Sequence, residues 1–319
     1  MTIRQQDMLN FKYEEITGCT LVDVPYAFSY NETLLYLTRS TMECLHHVEN
    51  RHIYKLIEIE HEPILIEISE SDASTIWIRL VDSLPRDRTV WESIVHYVQE
   101  WFDLHRDLAP FYHIAANDPL LSKLATDYYG MRIIGVPDLF EALCWAVIGQ
   151  QINLTFAYTL KKRFVEAFGK PMEWNSRTYW LFPKPEDVAS ILVDDLKKLQ
   201  FTSKKAEYII HIAQLMQQGE LSKHALLSSS DFKAIESQLI TIRGIGPWTA
   251  NYVLMRCFRD PSAFPIGDAA LQTALKLLLN RSQKPSLDEI KQLFFPWKEW
   301  EAYAVFYLWR SLTPVDATP

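Results

Sequence analysis

The chain has 319 residues, 48% hydrophobic and 23% charged, a globular composition that argues against extended disorder. Forty acidic against 32 basic side chains give a net charge of −8, which excludes a bulk electrostatic case for polyanion binding; any grip on nucleic acid must be local. No run of 18 apolar residues is present and the stretch Met1–Glu15 has no apolar segment of the secretory kind, so neither a membrane span nor export is expected.

The four cysteines (Cys19, Cys44, Cys144, Cys257) are scattered, without a CxxC pair or a histidine grouping. That is the usage of a reduced, cytoplasmic chain with neither disulfides nor a zinc site.

The first third reads as strands. Ile53, Lys55, Ile57 and Ile59 alternate with more polar neighbours; Ile64, Ile66 and Ile68 follow, then Ile76 to Leu80. Period-two runs joined by short polar turns predict an antiparallel meander with one wet face. Asn31 to Arg39 predicts a short helix on it, and Leu84-Pro85-Arg86-Asp87-Arg88 punctuates its end.

Helical spacing begins at Thr89-Val90-Trp91-Glu92, which has the spacing of a capping box, and runs through Phe102. Leu139 to Phe168 predicts two helices broken by a turn at Gly149-Gln150-Gln151-Ile152-Asn153. Further helices are expected over 183–199, 204–218, 231–242, 247–258, 269–280 and 287–295. The fold class is therefore α+β: residues 1–107 an antiparallel sheet domain with short helices, residues 108–319 an all-α region.

The stretch Leu239 to Asn251 carries the first chemistry. A helix ends near Ile242, Gly244-Ile245-Gly246 turns the chain, and Pro247 stands where a first helical position tolerates a missing N–H. Backbone N–H groups at Gly244, Gly246 and the following helix start would hold a phosphate without any basic patch. The carbonyls of Ile240, Ile242 and Ile245 end the first helix and could hold a monovalent cation. Taken alone, the same turn also describes a plain packing corner.

Asp268 follows Pro265-Ile266-Gly267 and precedes an apolar-periodic helix, so it reads as an N-cap. A carboxylate there can stabilise a nearby cation or orient a water; its plain meaning is a structural cap. Trp248 and Tyr252 lie four apart on one helix face. Trp297, Trp300, Tyr303 and Trp309 are read as lining another helix. Such rings are core in most helices, but around a cleft they would sandwich a flat, electron-poor ring.

Together, the glycine hairpin, Trp248 and Asp268 one helix and one loop later resemble the helix–hairpin–helix DNA glycosylase superfamily, and within it the bacterial 3-methyladenine-DNA glycosylase II branch. The resemblance runs through residues 108 to 313, including Leu139 to Leu143, Ile148 to Gln151 and Phe201 to Ala206, with residues 1–107 similar to the accompanying sheet domain.

The resemblance implies a monofunctional glycosylase that flips alkylated purines from double-stranded DNA and hydrolyses the N-glycosidic bond, as a monomer in the cytoplasm with no required cofactor. Asp268 falls on the essential aspartate; Trp248, Tyr252 and Trp309 fall on the base pocket. Gly244, Gly246, Thr249, Thr202 and Ser203 fall on backbone-binding positions, and Gln150 and Gln151 on the loop that fills the vacated gap. Gln151 departs from the apolar wedge expected there. Trp248 stands where related 8-oxoguanine enzymes carry a nucleophilic lysine, and no cysteine follows Cys257 to build an iron–sulfur ligand set. The alternatives are an oxidised-purine glycosylase/lyase and a non-catalytic module that binds damaged DNA.

Overall fold

The computed structural model describes residues 11–14, 18–81, 86–228 and 231–313. The first ten residues and Leu84-Pro85 lie outside them. Strands β1 (Phe11–Glu14), β2 (Cys19–Asp23), β3 (His47–Glu49), β4 (His52–Ile59), β5 (Glu62–Asp72) and β6 (Thr75–Leu80) form one antiparallel sheet in the order β1-β2-β6-β5-β4-β3. The expected meander is its β4-β5-β6 portion, with Ile53 opposite Ile68 and Ile68 opposite Ile78. The β4–β5 turn is made by Glu60 and His61, both at positive φ (51° and 68°), which matches the twist of a tight hairpin.

One face of the sheet is packed by helices α1 (Tyr30–Leu37) and α2 (Arg88–Trp101). Ile53, Ile66, Ile68 and Ile78 meet Leu34, Trp91, Ile94 and Val98 there, all fully buried. The other face is not simply wet as expected. The hairpin β7 (Lys170–Trp174) and β8 (Arg177–Leu181), which belongs to the helical part of the chain, lays Tyr179 and Leu181 over Leu56 and Leu65. The capping-box reading also fails. The helix starts at Arg88, so Thr89 already has helical backbone, and Asp87 is the N-cap without a side-chain cap bond.

Thirteen further helices follow among the described residues: α3 (Ala109–Ala116), α4 (Leu121–Asp127), α5 (Leu139–Gly149), α6 (Leu154–Phe168), α7 (Pro185–Val188), α8 (Val193–Lys198), α9 (Ser203–Gln217), α10 (Lys223–Leu227), α11 (Phe232–Thr241), α12 (Pro247–Arg256), α13 (Ala269–Leu278), α14 (Leu287–Phe294) and α15 (Glu301–Arg310). The helix expected over 183–199 is two short ones. Asp187 accepts the Lys184 N–H and Asp195 the Leu192 N–H, so each carboxylate starts a helix of its own.

Helix α5 is apolar on all sides and buried from Ala142 to Ile148, and α6, α9 and α12 pack around it. Only part of the C-terminal aromatic set shares a helix. Trp297 lies in a separate 3₁₀ turn and donates to Asp118, Trp300 caps α15, and Tyr303 donates to buried Asp103. Trp309 alone of the four lines the cavity described next.

Candidate active site

The hairpin forms as its glycines require. Helix α11 ends at Thr241, and the Ile245 N–H returns to the Ile242 carbonyl at 3.0 Å. Gly244 has φ +94°, and a Cβ there would stand 2.3 Å from the Tyr208 ring of α9. Both facts demand glycine. Gly246 is the N-cap of α12 with no side chain capping it, and the first helical bond runs from Ala250 N–H to its carbonyl at 2.9 Å. The amides ahead of that bond remain for an acceptor from outside.

Two of the expected contact residues are hydrogen-bonded to each other. Gln150 Nε2 donates to the Gly244 carbonyl and to the Thr249 hydroxyl, both at 3.0 Å. Gln150 thus bridges the end of α5 and the hairpin, and Thr249, itself buried, lines the cavity beside it. Gln151 is the amide that projects freely, exposed and at φ +56°. Thr202 caps α9 by accepting the Lys205 N–H, and Ser203 beside it is exposed; neither lines the cavity. Of the three isoleucine carbonyls, that of Ile242 already accepts one hydrogen bond.

Between α12, α13 and α15 opens a cavity of about 1140 Å³ lined by Trp248, Tyr252, Asp268 and Trp309, with Tyr36 and Arg39 of the N-terminal region across from them. Asp268 is the N-cap of α13 as expected. Its Oδ1 accepts the Leu271 N–H at 2.7 Å and the Trp309 Nε1–H at 2.8 Å; its Oδ2 accepts the Trp248 Nε1–H at 3.2 Å. A carboxylate has about four lone-pair sites, so three donors leave one on Oδ2. Acid and indoles are therefore one hydrogen-bonded unit.

Tyr252 stacks on Trp248 at 5.5 Å and lies 6.3 Å from Trp309. Its phenol oxygen accepts the Trp145 Nε1–H and an Arg256 N–H, each at 2.8 Å. Burial pushes this phenol's pKa up, against the pull of Arg256. Trp145, Arg256, Tyr36 and Arg39 escaped the sequence reading. Trp145 lies in an apolar run that signals only core, and Arg39 lies at the end of a short amphipathic helix.

Behind Trp145, Lys161 and Glu43 form a buried ion pair at 2.7 Å. Burial alone raises the Glu43 carboxyl, but the Lys161 ammonium outweighs it and holds the group well below the usual carboxylate range. This pair ties the N-terminal region to α6 directly beneath the aromatic wall, with the Lys161 ammonium 5.3 Å from the Trp145 ring centroid.

A glycine hairpin that opens one helix, followed by an aspartate-capped helix at the rim of an aromatic cavity, defines a class, and the chain belongs to it: the HhH-GPD superfamily of base excision DNA repair proteins. The model of that superfamily matches residues 144–299, and the model of the 8-oxoguanine DNA glycosylase N-terminal domain matches residues 25–143. A DNA-3-methyladenine glycosylase of Bacillus subtilis (strain 168) is 50% identical over 301 residues, 94% of this chain and 99% of that protein. DNA-3-methyladenine glycosylase 2 of Escherichia coli is 29% identical over 191 residues, 60% of this chain and 64% of its own. Among solved structures, a 3-methyladenine DNA glycosylase from Archaeoglobus fulgidus superposes with TM-score 0.79 at 21% identity, covering 91% of this chain and 97% of that one. An 8-oxoguanine glycosylase/lyase of Clostridium acetobutylicum gives 0.70 at 20%, covering 95% and 98%. At these identities the superpositions establish the fold alone.

Proposed function

We propose that the protein is a monofunctional DNA glycosylase that releases alkylated purines from duplex DNA, acting as a monomer. The observation that carries this is the Asp268 carboxylate, aimed by two indole N–H groups and a helix end, with one acceptor site left toward the cavity. Phosphate binding or a structural cap needs no such arrangement.

The unclaimed amides of the hairpin hold the backbone, Gln151 fills the vacated stack, and the extruded base enters the cavity. Flipping costs a few kcal/mol, less for a damaged base. A purine alkylated on a ring nitrogen is cationic, so the indole faces of Trp248 and Trp309 attract it. When the C1′–N bond breaks, its electron pair leaves with the base, which departs neutral. The sugar gains oxocarbenium character, which the Asp268 Oδ2 opposes electrostatically. Water adds to C1′ through its oxygen, and the proton it loses passes to solvent. The carbonyls of Ile240, Ile242 and Ile245 are neutral oxygen donors suited to a hard monovalent ion that would bridge to a phosphate. Comparing duplex affinity in potassium and in tetramethylammonium buffers tests that ion.

The test of the activity is free-base release from methylated DNA, separated by chromatography, with Asp268→Asn as control. Release by the wild type and none by the variant supports the reading; equal release by both removes Asp268 from it.

One observation favours a second reading, an oxidised-purine glycosylase/lyase: the match of residues 25–143 to an 8-oxoguanine glycosylase domain. Strand cleavage needs an amine at C1′. Trp248 occupies the hairpin position, and among the described residues Lys284 is the lysine lining the cavity, at its exposed rim. Borohydride trapping of a covalent enzyme–DNA adduct would support this alternative; no adduct is the expected result.

A further inference from the structure

The turn between α5 and α6 and the glycine hairpin that opens α12 are far apart in the chain, yet one face of α9 touches both. Lys205 and Tyr208 lie three apart and share that face. The Tyr208 ring stands against Gly244 of the hairpin. The Lys205 ammonium donates to the Ile148 carbonyl at 2.8 Å.

Ile148 belongs to the last turn of α5, whose carbonyls lose their helical partners because the chain turns away at Gln150. The Val147 carbonyl takes the Gln150 N–H at 3.3 Å; Ile148 is wholly buried, and its carbonyl is left to Lys205. A cation suits this negative end of the helix dipole.

Lys205 is nevertheless a costly way to fill space. It is 8% exposed and no ion pair holds it among the described residues, whereas buried Lys161 has Glu43 at 2.7 Å. Burial pushes the Lys205 pKa down. A buried charge without a counter-charge destabilises the fold, so a hydrocarbon side chain of similar length would serve stability better. What the ammonium adds is a fixed end to α5.

The segment that follows is the turn expected to fill the vacated gap. Gln151 is exposed there at φ +56°, a conformation that persists only when its surroundings hold it. On the far side Asn153 caps α6, accepting the Phe156 N–H at 2.8 Å. On the near side Gln150 bonds to the hairpin, and Lys205 holds the helix end just before it.

We propose that Lys205 is a positioning residue for base extrusion: through the Ile148 carbonyl it fixes the end of α5 and so keeps Gln151 in place for entry into the base stack. The inference rests on the glycosylase reading above. Lys205 then matters where an intact stack has to be opened, and matters little where the damaged base is already unpaired and unstacked.

Single-turnover release of 7-methylguanine from two substrates tests this: a fully paired duplex, and the same strand with the damaged base inside an unpaired bubble. In Lys205→Met the duplex rate should fall at least about tenfold relative to the bubble rate, the weight of one hydrogen bond from a charged donor. Both rates come from one preparation, so a loss of folded protein lowers them together and leaves their ratio unmoved. If Lys205→Met is not recovered folded, Lys205→Gln, whose shorter amide does not reach Ile148, decides by the same ratio. An equal fall on both substrates, or a wild-type ratio in the variant, overturns this inference and leaves the glycosylase reading standing. No base release by the wild type from either substrate overturns both.

Discussion

Two helices begin at the cavity and they begin differently. Helix α12 opens on Gly246-Pro247, with no side chain over its first amides. Helix α13 opens on Asp268, whose carboxylate takes one amide of its own helix and two indole N–H groups beyond it. The backbone supplies the same partial positive charge at both ends. The cap residue decides its use: glycine leaves the charge for an anion from outside, and aspartate answers it with an anion that still has an acceptor site to aim. On the proposed reading, one helix end would hold backbone phosphate and the other would face a sugar cation.

The strongest way to break that comparison is Asp268→Asn. Asparagine caps nearly as well as aspartate but sets an NH2 against the Trp248 Nε1–H, so stability should fall by about 1 kcal/mol, while base release falls at least about a hundredfold and abasic-site binding persists. Melting curves and base release read the two halves separately. On the α12 side, Gly244→Val forces a side chain onto the Tyr208 ring at a positive φ and should cost about 3 kcal/mol in a denaturant titration. Gly246→Ala is the matched control. A Cβ there meets nothing within 4 Å, so it should cost no more than about 1 kcal/mol.

The link between the two helix starts is Tyr252. Tyr252→Phe keeps the ring stack but strands the Trp145 and Arg256 donors, for a loss of about 2 kcal/mol by chemical denaturation. The smallest effect is expected at His46, three residues after Glu43, whose Nε2–H donates to the Leu37 carbonyl at 2.9 Å. Burial pushes His46 down to about 4, against an ordinary value of 6.5. The unfolded chain then binds more protons than the folded one between those values, so stability falls as pH drops through that window. At pH 5.5 the loss relative to pH 7 should be about 1 kcal/mol, and His46→Gln should flatten it. The depressed Glu43 carboxyl adds its own loss only below its ordinary range near 4.5.

Much of this was readable in the sequence where a few neighbouring residues decide the backbone. The break between α5 and α6, the hairpin and the α13 cap all follow from turn and cap chemistry. Strands β1, β2, β3 and the β7–β8 hairpin were missed, because runs of three to five residues are too short to show alternation. Sequence places Gln150 in the loop between α5 and α6 but cannot name what it bonds to. Its actual partners are the Gly244 carbonyl and the Thr249 hydroxyl, nearly a hundred residues away.

The sequence by itself determined where the glycine turn and the aspartate cap fall, since both are settled by allowed dihedrals and by donors within four residues. Tertiary structure alone decided that Trp145 would reach Tyr252 across 107 residues, that Trp309 would reach Asp268 across 41, and that Arg39 would enter the same cavity. The reason is geometric. An amphipathic pattern says which face of a helix is buried but leaves its crossing angle and partner open, and those set which side chains meet.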